Sequence, residues 1–318
     1  MENETAAPKH TVRLIFIHHS SGSNWLADDN GGLGIALRDN NYFVSNTSYG
    51  WGPNQIGSRT DIGDWWEWFC DSQRSPLYLK TLFNESGQNA GYSRQQMLPP
   101  DENEIILFKS CFPNSTLRGD PTAPVPPIER NPIRGQKAVA VPPNPKSIKR
   151  YLMYQAKSLA KILLGRNKNE AAYTVANAKG IYIELLNCFR QYPDKLFIVI
   201  TAPPLQYSPS ASNTRALNQW LVNDWLANYP LKNVAVFDFY NVLTSNGSSP
   251  EINDLAQEAG NHHRWWNGAI QHQADCASNL LAYPTRDDHA GKAGNQKATA
   301  EFMPLLNVFY QRWKKSMS

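Results

Sequence analysis

The sequence predicts an α/β protein: a parallel sheet with helices covering both faces. Two observations carry this. Short apolar runs, often β-branched and bounded by turn residues, recur along the 318 residues. Amphipathic helical patterns separate several of them, as βαβ connections require. The candidate strands are "TVRLIFIHH" (11–19), "NYFVSNTS" (41–48), "NEIILFKS" (103–110), "KLFIVITAPP" (195–204) and "NVAVFDFYN" (233–241).

The helices follow from spacing. Asn144-Pro145 caps a stripe of Ile148, Tyr151, Leu152, Leu159, Ile162 and Leu163 that ends at Gly165. Residues 169–191 repeat the pattern and stop before Pro193. Residues 212–229 present Leu217, Trp220, Leu221 and Leu226. A last helix covers 295–313, where Pro304 should kink or interrupt it. The segment 120–145 holds eight prolines and breaks the rhythm. It reads as an extended surface insertion, with a rim beside an active site as the alternative. No repeat or boundary divides the chain, so residues 1–318 read as a single domain.

The net charge of +4 is diffuse, with no Lys/Arg run that would track phosphates, which argues against nucleic acid. No apolar stretch reaches the ~20 residues of a membrane span. The polar opening "MENETAAPKH" lacks the apolar region of a signal peptide, and secretion stays open. Cys70, Cys111, Cys188 and Cys276 include no CxxC pair, which argues against structural zinc. They read as buried free thiols, with one or two disulfides as the alternative.

Ligands of an open α/β sheet gather at the carboxyl ends of its strands. The first predicted strand runs into His18-His19-Ser20-Ser21-Gly22. Tyr49-Gly50 follows the second strand and Asn114 the third. Asp287, Asp288 and His289 precede the last helix. This is the equipment of acyl transfer. A serine hydroxyl needs a base, the base needs a carboxylate to fix its tautomer, and the oxyanion needs preorganised donors. Ser21 and Ser23 read as capping or solvating the turn. His18 and His19 read as neutral rings under the nucleophile loop. Metal binding with His262, His263 and His272 is the alternative, though these lack the i, i+4 spacing of a zinc helix.

This order of Ser, Gly, Asn and Asp-then-His resembles the SGNH, or GDSL-like, hydrolases, across nearly the whole chain. "TAPPLQYSPSASNTRALNQWL" (201–221) is similar to that family's segment after the fourth strand. The resemblance implies a three-layer α/β/α, flavodoxin-like fold with a five-stranded, mainly parallel sheet. It implies a serine esterase with Ser20 as nucleophile and His289 as base. The Ser20 amide, Gly50 and Asn114 form the oxyanion hole, with no cofactor and no metal. Three blocks depart from the usual pattern: His18-His19 stand where Gly-Asp is usual, Cys111-Phe112-Pro113-Asn114 replaces Gly-x-Asn-Asp, and Arg286 occupies the usual acid position. The acid is then Asp287 or Asp288. Asp287 is preferred, because an immediate neighbour reaches the ring's Nδ1 less easily.

The expected substrate is a small-acyl, possibly acetyl, ester, perhaps on a carbohydrate. His19, Trp265, Trp266 and Arg286 are the candidate substrate contacts, and Trp65-Trp66 add to the sugar reading. The alternatives are a sugar O-acyltransferase on the same machinery and a non-catalytic carbohydrate-binding protein.

Overall fold

A computed structural model describes residues 4–135, 171–244, 262–274, 279–283, 285 and 287–317. Five strands form one sheet: β1 (Val12–Ile17), β2 (Tyr42–Thr47), β3 (Ile105–Lys109), β4 (Leu196–Ile200) and β5 (Val234–Phe237). Their order is β2-β1-β3-β4-β5, and every pairing is parallel. This is the flavodoxin-like strand order, whose switch point lies between β1 and β3. The predicted three-layer α/β/α architecture is present.

The strands are continuous apolar runs because both sheet faces are covered. Successive side chains alternate between two cores. Ile15, Ile17, Ile106, Phe108 and Val199 enter one; Leu14, Phe16, Leu107, Ile198 and Ile200 enter the other. The first core is closed by α3 (Ile62–Phe69), α5 (Val175–Phe189) and α6 (Ala211–Asn223). The second is closed by α1 (Ser20–Leu26), α2 (Leu33–Asp39), α7 (Phe239–Leu243) and α8 (Lys292–Met317). A further helix, α4 (Ser75–Phe83), contributes Tyr78, Leu79 and Leu82 to the first core.

Several expectations change. α5 starts later than expected, at Val175, where the Thr174 side chain accepts from the Asn177 amide. α6 ends at Asn223, and turns follow it. α8 runs unbroken through Pro304, at the cost of one i→i−4 hydrogen bond. Burial of Met303, Leu305 and Leu306 on either side offsets that loss. The expected helix at 144–165 lies outside the described residues. Of the Pro-rich segment, residues 120–135 form turns and one short 3-10 stretch, Ile128–Arg130.

Two features depart from the leading sequence reading. Residues expected to wall a pocket form an antiparallel hairpin, β6 (His262–Trp266) and β7 (Ala269–Gln273). Asn267 and Gly268 both take positive φ at its turn, 49° and 79°, as a two-residue type I′ turn requires. Cys70 and Cys188 form a disulfide rather than free thiols, joining the ends of α3 and α5. Cys111 is buried and free, and Cys276 lies outside the described residues.

Candidate active site

Ser20 is the first residue of α1, directly beyond β1, with His19 at the N-cap in extended backbone. The Gly22 and Ser23 amides bond back to the His19 carbonyl at 2.8 and 3.2 Å, which winds the turn. Gly22 allows this turn to lie on the His18 ring, because a Cβ there would sit 2.4 Å from the His18 Cβ. The His18 Nδ1–H donates to the His19 carbonyl at 2.8 Å. Burial drives this imidazole's pKa down to about 3, helped by the neighbouring Lys109 and His19, so it is neutral. His18 is a wedge beneath the turn that carries Ser20.

From the other end of the chain comes His289, three residues before α8. Its Nε2 lies 2.8 Å from the Ser20 Oγ. Its Nδ1 lies 3.0 Å from Asp287 Oδ1, which also accepts the His289 amide at 2.9 Å. Two residues of separation let one carboxylate oxygen meet both nitrogens. Burial raises the Asp287 pKa, but the His289 amide and ring and the Thr285 hydroxyl outweigh it and hold the carboxyl below its ordinary value. Asp288 turns away and accepts the Gln206 amide at 2.9 Å; burial raises its pKa. Phe112 packs edge-on against the His289 ring, centroids 5.1 Å apart.

The expected oxyanion donors are placed differently. The Gly50 amide donates to the Ser58 Oγ at 2.9 Å. Gly50 takes φ +77° to make the turn after β2, and that turn aims its N–H at Ser58 rather than at Ser20. Asn114 is buried at the carboxyl edge, with its Nδ2 donating to Asp61 at 3.1 Å and its Oδ1 accepting the Ile62 amide at 3.1 Å. It therefore anchors the start of α3 and has one Nδ2 hydrogen left over. The Ser20 amide lies in the first turn of α1, where backbone donors have no intrahelical partner.

His19 is not an open substrate contact. Its Nε2–H donates to the Gly57 carbonyl at 2.8 Å, and Thr60 Oγ1 lies 3.1 Å from its Nδ1. Tyr49 stacks on the ring, with centroids 4.0 Å apart and planes 18° from parallel. Burial and the nearby Cys111 and Asp61 raise the Tyr49 pKa, and Ser20 acts in the opposite direction. Sequence reasoning gave Tyr49, Phe112, Thr60 and Asp61 no role. The signal for Tyr49 was its place, one residue before Gly50 at the end of a strand.

Trp265 and Trp266 lie away from these residues. Arg312 sits 5.8 Å over the Trp265 ring, and Arg264 4.0 Å over Trp266. Arg312 is twenty residues along α8 from Lys292, roughly 30 Å at ~1.5 Å per residue. Trp65 is buried, its Nε1 donating to Ser110 Oγ at 3.0 Å, and Trp66 is half-buried under Arg134. Arg286 lies outside the described residues.

Among the described residues, no group of three or more His, Cys, Asp and Glu is placed to hold a metal ion. The His263 Nδ1 accepts the Asp238 amide at 2.8 Å, and the His272 Nε2 meets the Asp238 carboxylate at 2.9 Å. These histidines fasten the hairpin to the core. No described helix is long and apolar enough to cross a membrane.

The arrangement is a hydroxyl, an imidazole and a carboxylate in one hydrogen-bonded line at the switch point of the sheet. No protein-family model, curated protein or solved structure matches this chain.

Proposed function

We propose that this chain is a serine esterase of the SGNH type, acting on a small-acyl ester. The observation that carries the reading is the unbroken line Asp287–His289–Ser20, with links of 3.0 and 2.8 Å. Both distances are within reach of proton transfer without rearrangement.

The steps follow from the atoms. His289 Nε2 takes the Ser20 proton as Oγ bonds to the ester carbonyl carbon. The displaced π pair moves onto the carbonyl oxygen, towards the Ser20 amide and the remaining Asn114 hydrogen. When that pair returns, the ester C–O bond breaks and the alcohol leaves with the proton from His289. Water, deprotonated by the same ring, then releases the acid. Asp287 keeps the Nδ1 proton in place throughout and stabilises the imidazolium.

Phe112 stands edge-on against the His289 ring, which favours a small acyl group. The test is hydrolysis of p-nitrophenyl acetate together with labelling by a fluorophosphonate. Wild-type protein should turn over the ester and carry the label on Ser20. Ser20→Ala should lose both, and activity that survives this change would refute the reading.

A further inference from the structure

We propose that the cavity beside the edge strand β5 binds a free, medium-chain aliphatic carboxylate, with its chain inside and its carboxylate at a cationic mouth. The site is independent of the esterase reading. Arg312 in its lining is twenty residues along α8 from Lys292, roughly 30 Å from the end of the helix that lies next to His289.

The cavity follows from the sheet. β5 stands last in the strand order and pairs only with β4. The two cores therefore meet at this edge: Val234 and Val236 belong to one, Ala235 and Phe309 to the other. The helices on the two faces do not close over the seam, and a space of about 620 Å³ remains. That is the size of a small-molecule site. Its walls are mainly aliphatic. Val222 and Leu226 come from α6 and the turn after it, Val234 and Val236 from β5, Ile270 from β7, and Phe309 adds one phenyl ring from α8. These side chains give a flexible hydrocarbon chain dispersion contacts, and they offer a sugar no hydrogen bond.

The charged groups in the lining all have one sign. They are Lys232, Arg312 and Lys315, and no Asp or Glu lines the cavity among the described residues. All three are exposed, which places them at the solvent side. Glu4 offsets one of these charges: it accepts from Arg312 Nε and Nη2, which leaves Nη1 for a ligand. An apolar interior behind a cationic rim is complementary to an amphiphile with an anionic head.

His263 adds a fixed polar point. The ring is buried and lines the cavity. Its Nδ1 accepts the Asp238 amide at 2.8 Å, which puts the ring proton on Nε2. Burial and the neighbouring His272 lower its pKa to about 3, so the ring stays neutral and is a donor for a ligand oxygen.

The test is isothermal titration with sodium hexanoate, octanoate and decanoate below micelle formation, and with 1-decanol. One carboxylate should bind per chain. Affinity should rise about fourfold per added CH₂, as burial of a methylene requires, and 1-decanol should bind at least about tenfold more weakly than decanoate if each exposed cation contributes up to ~1 kcal/mol. Lys232→Gln should weaken decanoate up to about fivefold and leave 1-decanol unchanged. Ile270→Asp, which sets a like charge on the wall, should abolish decanoate binding. Absence of saturable binding overturns the proposal, and so does 1-decanol binding as tightly as decanoate. A folded Ile270→Asp protein that binds decanoate like wild type overturns it as well. Sedimentation should show a monomer; a dimer broken by Ile270→Asp would make this face an interface between copies of the chain and overturn the proposal. No ester is present in these titrations, so their failure leaves the esterase reading untouched.

Discussion

Replacing Asp287 by Asn separates the two acids that stand beside His289. The Asp287 carboxylate lies 3.0 Å from Nδ1, and in the proposed mechanism its charge stabilises the imidazolium formed during attack. With charge centres ~4 Å apart, that attraction is ~4 kcal/mol at an effective dielectric of 20 and ~1 kcal/mol in bulk water. Asp287 is 62% exposed, so solvent screening places the value in the lower part of this range, at ~1–2 kcal/mol. The asparagine amide adds a tautomer cost, since its NH₂ favours the ring with an unprotonated Nδ1 and a proton on the nitrogen facing Ser20. Together these should lower kcat about 10²-fold or more, with KM little changed. Asp288→Asn keeps an oxygen to accept the Gln206 amide and should stay within threefold of wild type. The assay is steady-state hydrolysis of p-nitrophenyl acetate, with Ser20→Ala as background. Asp287→Asn within threefold of wild type, or Asp288→Asn as the more damaging change, would refute the assignment.

Two further predictions concern stability. The Cys70–Cys188 bond closes a loop of 118 residues, worth up to about 5 kcal/mol by loop-closure entropy. Reduction should therefore lower the urea midpoint, and mapping should recover a linked Cys70–Cys188 peptide; an unchanged midpoint on reduction counts against it. His18 has its pKa lowered to about 3 in the fold, against ~6.5 unfolded. The unfolded chain thus binds the extra proton between these values, and stability falls as pH drops through that window, by about 2 kcal/mol at pH 5. Asp64, pushed up to about 7 by burial and by Asp61, acts in the opposite sense, so the readout is a difference between proteins. The stability gap between wild type and His18→Asn should shift by about 2 kcal/mol between pH 7 and pH 5 in urea titrations, and a constant gap would show that His18 is not the buried neutral group.

The five strands were legible because a strand buried on both faces is a local pattern, written in consecutive residues such as Leu14–Ile17. The contact between Asp287 and the His289 ring was legible too, since it rests on reach along the chain. What failed depended on directions in space. Gly50 was the right type at the right place, but its amide direction is set by φ and by Ser58, eight residues on. The Cys70–Cys188 pairing depends on α3 and α5 lying side by side, which no spacing of 118 residues reveals. The hairpin was written in Asn267-Gly268 and overlooked because its histidines and tryptophans suggested chemistry. In the structure those residues hold β6 and β7 against β5, α7 and α8.

The 2.8 Å contact between Ser20 and His289 spans 269 residues of chain, and an exposed Asp287 cannot by itself hold it. The surroundings do so from two sides. Along α8, Asn295 donates to the Asn30 side chain at 2.9 Å, and Thr299 donates to the Gly31 carbonyl at 2.7 Å while accepting from Trp25 Nε1 at 3.0 Å. These bonds tie α8 to the end of α1, the helix that carries Ser20. From the loop after β4, the Gln206 side chain donates to the Thr285 and Asp287 carbonyls at 2.9 and 2.6 Å, and its amide to Asp288. The acid that does not face the ring thus braces the one that does. A misplacement of ~1 Å can cost ~10²-fold in rate, so under the proposed mechanism the bonds made by Gln206, Asn295 and Thr299 should bear on the rate by placing the carboxylate and the ring.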